Sequence, residues 1–414
     1  MESQFDQVVD RTHTLSVKWN RDAIKTFCAN PDAEPFWVAD MDFRAATEIS
    51  DAALVAAKSG IYGYPHFDGV KEAFCDFANR RHGTHLTPQE VVTFPGVLVS
   101  VSMMMRLLTR EGDGVIVPLP AYKPFMDITQ NLNRKLVPWP MRYDPHSHRF
   151  SLDWENFDTL ADQAKLLVFC SPQNPSGDVF GREELEKLAC KAGEHHLAVI
   201  SDEIHADLSY TKHISMVEVA ETHSCPCAVC MAPSKTFNVA GEHFSVVVTH
   251  DEELRNRMEV MKEQNRISET SFFSTTIALA AYRHGYDWLM ELIPYLEGNA
   301  ALIESYFSEH CPELVFVRPN ASFVGLVDCS QALPLMQKDE KEHPDLYDPK
   351  LSPMGGTASR FFGIRAQVCC NDGTWFGGGD AYRGFVRFNY GVRRASVLEA
   401  IRRMADAVNR LKRS

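Results

Sequence analysis

Lys235 stands in the stretch APSKTFNVAG (232–241), between a serine and a Thr-Phe-Asn run, with Ala-Pro before it and a glycine behind. A solvated lysine needs no such frame, but one kept unprotonated so that it can bond covalently to a carbonyl does. Asp202 closes the apolar run LAVISDEIH (197–205). A carboxylate there is costly to desolvate unless it meets a cation, although aspartate is also a common helix N-cap. Asn174 in SPQNPSG has the alternative of a plain turn residue. Gly96 in FPGVLVS precedes a helical stretch at 98–110, where a loop could present free N–H groups to a phosphate. Each residue alone has an ordinary structural explanation.

The elements that carry these residues change that weighting. Short apolar runs at 115–117, 166–170, 197–201, 228–232 and 245–249 read as strands, and helical patterns such as 182–195 lie between them. Continuous apolar strands separated by helices imply an α/β fold with a mostly parallel sheet, and ligands in such sheets bind at the carboxyl ends of the strands. SPQNPSG follows one strand, DEIH the next and PSKTFN the next. Three successive strand exits therefore carry the polar groups. A phosphate, a pyridinium nitrogen, a phenolic oxygen and an aldehyde call for a helix N-terminus, a buried carboxylate, a hydrogen-bond donor and a lysine. The chain supplies all four, with Tyr122 (in PLPAYKPF) as an aromatic cover. The cofactor that matches is pyridoxal 5′-phosphate (PLP).

Composition narrows the rest. The chain has 414 residues, 42 basic and 55 acidic, with a net charge of −13. That length implies more than one small core. The acidic balance argues against nucleic acid or an anionic membrane as partner, since both need a basic face. The arginines near the C-terminus fall on an amphipathic helical stripe set by Val397, Ile401, Met404, Val408 and Leu411 and read as its solvated side. The N-terminal stretch has neither the charge nor the apolar core of a signal peptide, and no apolar run reaches membrane-spanning length, so a cytoplasmic protein is expected. Eleven cysteines then read as reduced thiols. The CPCAVC run (225–230) lacks the paired spacing of a zinc site, and no metal is expected. An N-terminal segment (1–44), a large cofactor-binding domain (45–290) and a smaller C-terminal domain (291–414) are expected, with 286–309 as a long connecting helix. The Pro- and Gly-rich stretch 331–360 reads as a mobile excursion.

The stretches RTHTLSVKW (11–19), WVADMDF (37–43), IYGY (61–64), FPGV (94–97), GDGVIVPLPAYKPF (112–125), SPQNPSG, SDEIHADL, APSKTFNVAG and VRFNYG (386–391) run in order along nearly the whole chain. Together they resemble the fold-type I PLP enzymes, aminotransferase class I/II. Within that superfamily, DEIH with APSKTFN is most similar to the branch of cystathionine β-lyases and cysteine-S-conjugate β-lyases. The resemblance implies that Lys235 bonds to the cofactor's aldehyde and that Asp202 pairs with the ring nitrogen. It implies that Asn174 donates to the phenolic oxygen and that Tyr122 stacks on the ring. The amides after Gly96 (Val97, Leu98) and the Ser234 hydroxyl would hold the phosphate, and His205 belongs to the same cofactor shell. Tyr64 would reach the phosphate of a neighbouring subunit, which makes a homodimer with shared sites. Arg387 would clamp the α-carboxylate of a small amino acid substrate, with Tyr122 and Asn174 beside it.

Two residues depart from the aminotransferase pattern: His205, where many members carry tyrosine, and His243, where many carry a phosphate-binding arginine. The first is a feature of the lyase branch. The expected activity is therefore cleavage of L-cystathionine or related S-substituted cysteines to a thiol, pyruvate and ammonia. Transfer of the amino group to a 2-oxo acid is the alternative, and a non-catalytic regulator on the same fold is a third reading.

Overall fold

The computed structural model describes residues 3–65, 69–267 and 270–413. Seven strands form the large sheet: β1 (Val91–Phe94), β2 (Gly114–Leu119), β3 (Lys135–Pro140), β4 (Leu166–Cys170), β5 (Ala198–Asp202), β6 (Cys227–Met231) and β7 (Ser245–Val248), in the spatial order β1-β7-β6-β5-β4-β2-β3. β2 to β6 run parallel through their neighbours, and β7 is antiparallel to both β6 and β1. The register sets Cys170 opposite Asp202 and Asp202 opposite Cys230, so three strands end side by side.

Every residue of β2, β4, β5 and β6 is buried. Successive side chains of a strand point to opposite faces, so this pattern means that the sheet is covered on both. Helices α1 (Val97–Leu108) and α2 (Arg182–Glu194) supply part of that cover, α1 against β5, β6 and β7 and α2 against β5. A short helix, α3 (Pro233–Thr236), opens with Pro233, whose missing N–H is one that the first turn leaves unpaired in any case.

The 25-residue α4 (Tyr286–His310) leads to a four-stranded antiparallel sheet. Its strands β8 (Val315–Val317), β9 (Val324–Asp328), β10 (Asn371–Asp372) and β11 (Phe385–Asn389) lie in the order β8-β9-β11-β10. Between β9 and β10 the stretch 331–360 departs from the expected excursion. It contains α5 (Leu333–Glu342), and its polar groups are pinned: Asp339 accepts from Arg365 at 2.8 Å and from the Tyr347 hydroxyl, while Arg360 donates to Ser352 Oγ at 2.7 Å. Met336, Tyr347 and Ser352 are buried. The prolines and glycines bend a packed segment here. The last helix, α6 (Arg394–Leu411), buries Val397, Ile401, Met404 and Val408, the stripe read from the sequence, and packs along α4.

All eleven cysteines are free. Among the described residues, no helix is long and apolar enough to cross a membrane, and no cluster of three metal-binding side chains forms.

Candidate active site

The carboxyl ends of β4, β5 and β6 and the N-terminus of α1 enclose a cavity of about 340 Å³, lined by Tyr122, Asn174, Asp202, His205, Ser234 and Lys235 among others. Each side chain arrives there for a local reason. Asp202 is the last residue of β5, and the turn after it is tied by the Ile204 N–H donating to its carboxylate at 3.1 Å. Lys235 is the third residue of the α3 turn that Pro233 starts. Gly96 takes φ +101°, which a side chain rarely adopts, and thereby turns β1 into α1. A Cβ at Gly96 would stand 3.4 Å from His243 Nδ1. The first-turn amides of α1 have no acceptor within the helix, and Gly96, Val97 and Leu98 line the cavity where they are presented.

The electrostatics of this wall follow from desolvation. Burial pushes the Asp202 carboxyl up to about 7, against the pull of the Ile204 N–H and the attraction of Lys235. Burial likewise pulls the Lys235 ammonium down to about 8, although Asp40 and Asp202 favour its charge. His205 falls to about 3, through burial first and then repulsion by Lys235 and Arg387, so it is a neutral imidazole at physiological pH. Its Nδ1 meets Ser322 Oγ at 2.9 Å, while its Nε2 is buried with no partner among the described residues. Asp202 likewise has no cationic side chain within ion-pair distance among them. A buried carboxylate, an amine of lowered pKa and a one-sided imidazole around one cavity are what a site looks like when its polar groups are arranged for a ligand.

Arg387, on β11 of the small sheet, is almost fully buried beside this cavity. It donates to Asn174 Oδ1 at 3.0 Å, the Trp37 carbonyl at 2.7 Å and Asn371 Oδ1 at 3.0 Å, and lies 5.0 Å from the centre of the Phe376 ring. Its Nε has no acceptor and no carboxylate pairs with it among the described residues. Burial without a counter-ion lowers it to about 10. The bond from Arg387 fixes the Asn174 amide with its oxygen toward the arginine, which leaves the NH₂ available as a donor.

The strap Trp37–Phe43 joins the two cations. Its Trp37 carbonyl accepts from Arg387, and its Ala39 carbonyl accepts from Lys235 Nζ at 2.7 Å. Asn389 donates to the carbonyls of Val38 and Asp40, Asn238 to those of Met41 and Phe43, and buried Lys18 to that of Asp40. Lys18 and Arg11 also pair with Asp40 and Asp42, at distances between 2.5 and 3.8 Å.

The structure thus gathers Lys235, Asp202, Asn174, Tyr122, Gly96, Val97, Leu98, Ser234 and His205 around one cavity and sets Arg387 against it through Asn174. Tyr64 stays apart, 91% exposed on its own chain. The sequence reading assigned nothing to the carbonyls of Trp37 and Ala39, to Asn371 or to Ser322. Backbone acceptors leave no residue-type signature, and only the stretch WVADMDF marked the region.

Comparison with known proteins agrees with this layout. The profile of the family "Aminotransferase class I and II" matches residues 38–404. Cystathionine beta-lyase PatB of Bacillus subtilis is 32% identical over 98% of this chain and 100% of its own length. Protein MalY of Escherichia coli is 27% identical over 98% of both chains. A PLP-bound crystal structure from Clostridium difficile superimposes with a TM-score of 0.88, at 29% identity, over 99% of this chain and 100% of that one. With its strand exits, its half-buried cavity lysine and its profile in register over that length, the chain belongs to the class I and II aminotransferase family.

Proposed function

We propose that this chain is a PLP-dependent carbon–sulfur β-lyase that converts S-substituted L-cysteines, L-cystathionine among them, to a thiol, pyruvate and ammonia. The observation that carries the reading is the DEIH exit of β5. It presents an unpaired buried carboxylate and a neutral histidine to Lys235, in a chain similar over its full length to a cystathionine beta-lyase. The cavity fits PLP by its donor set: the first-turn amides of α1 have no acceptor within the helix, Asp202 has no cation paired with it among the described residues, and Asn174 keeps its NH₂ free of Arg387.

In this reading the α1 amides and Ser234 hold the phosphate, and Tyr122 covers the ring. Asn174 donates its free NH₂ to the phenolic oxygen, and Asp202 keeps a proton on the ring nitrogen. When bound, the cofactor supplies an aldehyde for Lys235 and a protonated ring that draws electrons from the substrate's α-carbon. Arg387 takes the α-carboxylate, for which its planar fork is suited. Lys235, with its amine free and its pKa lowered, would remove the α-proton. The β-sulfur would then depart with the C–S electron pair and be protonated to the thiol, and the three-carbon enamine left behind takes up one water to give pyruvate and ammonia.

The same reading puts Tyr64 at the phosphate of a partner subunit, which accounts for a tyrosine left exposed on its own chain. It takes 45–290 as the cofactor-binding body and 291–414, with the N-terminal segment, as the smaller domain, and it places the enzyme in the cytoplasm, where its free thiols stay reduced. The test is product analysis without an oxo acid. Thiol, pyruvate and ammonia should appear in equal amounts from S-substituted cysteines. Turnover only when an oxo acid is added, with no thiol released, would make the protein an aminotransferase.

A further inference from the structure

Behind the histidine of the cavity stands a serine in a conformation that serine rarely takes. Ser322, just before β9, has φ +77°, in the left-handed region where a Cβ crowds the backbone. The position is held from several sides. The Ser322 N–H donates to the Leu208 carbonyl at 3.0 Å, and the Ser322 carbonyl accepts from the Tyr390 hydroxyl at 3.0 Å and from that of Tyr210. Ala321 bridges to Ser209, and the Tyr210 N–H donates to the Asn320 carbonyl at 2.8 Å. The loop before β9 is thus zipped to the chain that follows DEIH, and it enters the sheet that carries Arg387. These contacts fix one hydroxyl. Ser322 is buried, and its Oγ lies 2.9 Å from His205 Nδ1 with no second partner among the described residues. Strain that the surroundings hold in place is the mark of a residue with a task.

The proton count gives the direction of that bond. A neutral imidazole carries one N–H, and His205 is neutral because burial, with Lys235 and Arg387 near, disfavours its charge. With the proton on Nδ1, the imidazole would donate to Ser322, and the hydroxyl proton and the Nε2 lone pair would both be buried without partners. With the hydroxyl donating to Nδ1, only the Nε2 N–H is left over. Buried polar groups are rarely left unmet, so the second arrangement is favoured. It makes His205, which lines the cavity, a hydrogen-bond donor.

We propose that Ser322 is a positioning residue of this site: its hydroxyl sets the His205 tautomer, so that the ring offers an N–H rather than a lone pair to an acceptor oxygen of the cofactor. The proposal rests on the part of the reading above that puts PLP in the cavity, and not on the lyase chemistry.

The test is a double-mutant cycle on cofactor binding. Apoproteins of the wild type, Ser322→Ala, His205→Phe and the double variant are titrated with PLP, followed by protein fluorescence and by the absorption of the Lys235-bound cofactor. Ser322→Ala should raise the PLP dissociation constant roughly three- to tenfold, the span of one neutral hydrogen bond, and shift the absorption band. In the His205→Phe background the same substitution should change the constant by less than about twofold, because the hydroxyl acts only through the imidazole. Ser322→Gly separates this role from backbone fit. Glycine takes a positive φ without strain, so this apoprotein should resist urea at least as well as Ser322→Ala while binding PLP as poorly. Equal effects of Ser322→Ala in the two backgrounds overturn the proposal, as does an unchanged constant and band in Ser322→Ala. A Ser322→Gly variant that binds PLP as the wild type does would also overturn it. Should Ser322→Ala fail to fold, Ser322→Gly takes its place in the cycle. None of these measurements needs turnover, so failure of the lyase reading, with no thiol from any S-substituted cysteine, leaves their outcome readable.

Discussion

Glu203 gives its carboxylate to three partners: Ser201 Oγ at 3.0 Å, the Met216 N–H at 2.7 Å and His213 Nε2 at 2.8 Å. Asp207, four residues on, takes His82 Nε2 and Thr236 Oγ1, both at 2.7 Å. Asp202 and His205 alternate with these two in the same six-residue run and are equally buried, yet Asp202 accepts only the Ile204 N–H among the described groups, and His205 Nε2 accepts and donates nothing. The run thus has a core-facing set whose polar needs are met within the protein and a cavity-facing set whose needs are not. Buried polar groups left unmet are costly, so the second set makes physical sense only as groups that a ligand completes.

If that division is right, substitutions on the two sides should fail in different ways. The largest effect belongs to the cavity side: Lys235→Ala should cut turnover by more than roughly 10⁴-fold, losing both the covalent anchor and the base. The protein should still fold, bind PLP loosely and lack the visible absorption of the lysine-bound cofactor. Near-normal turnover would dissolve the cavity set altogether.

Asp207→Asn is the core-side counterpart. Breaking a buried pair typically costs about 3–5 kcal/mol, and the loss should appear in urea unfolding of apoprotein and holoprotein alike. Burial raises the Asp207 carboxyl, but its bonds to His82 and Thr236 outweigh that and hold it below the usual range. Its contribution is therefore present at neutral pH and disappears as acid protonates it, so mutant and wild type should converge at low pH. A mutant as stable as wild type at pH 7 would remove the contrast.

Asp202→Asn sharpens the comparison because its two effects have opposite sign. In the apoprotein the folded chain holds a proton on Asp202 up to about pH 7, whereas the unfolded chain releases it near 4. Wild-type stability is thus lowered as pH rises through that window. The asparagine variant should be more stable than wild type at pH 8, by up to about 4 kcal/mol, with the gap closing toward pH 4. The same variant should bind PLP roughly ten- to a hundredfold more weakly, since a charge-assisted hydrogen bond of about 1.5–3 kcal/mol is lost. A variant destabilised at pH 8 would move Asp202 to the structural set.

The smallest of these effects is that of Arg387→Lys. It should raise KM for amino acid substrates roughly ten- to a hundredfold while PLP content holds, because lysine keeps the charge but not the paired planar donors. Parallel loss of cofactor and substrate would mean that Arg387 chiefly braces Asn174.

Much of this was legible in the sequence. The run LLVFC coincides with β4, and the three strand exits carry the residues they were expected to carry, because a fully buried parallel strand must be continuously apolar and must end where polarity resumes. Strands β1 and β3 gave a weaker signal. VVTF leads directly into the FPGV turn, and KLVPWP contains two prolines and reads as loop until its place at the sheet edge is known. Residues 331–360 were misleading for a related reason: composition marks where a chain bends but not whether tertiary partners such as Arg365 for Asp339 pin the bends. The choice between cavity and core for Asp202 and Glu203 lay beyond single-residue reading, since two adjacent acids differ only in which face of the strand they take.

The strap offers a lesson for mutagenesis. Its contacts with Lys235 and Arg387 are made by main-chain oxygens of Ala39 and Trp37, which every substitution at those positions retains. Alanine scanning from 37 to 43 therefore reports on the buried side chains of Trp37, Met41 and Phe43 and on the ion pairs of Asp40 and Asp42, and is blind to the two main-chain contacts with the cations. To weaken those acceptors the chemistry must change in the backbone itself, or the experimenter must cut the side chains that hold the strap from outside: Lys18, Asn238 and Asn389.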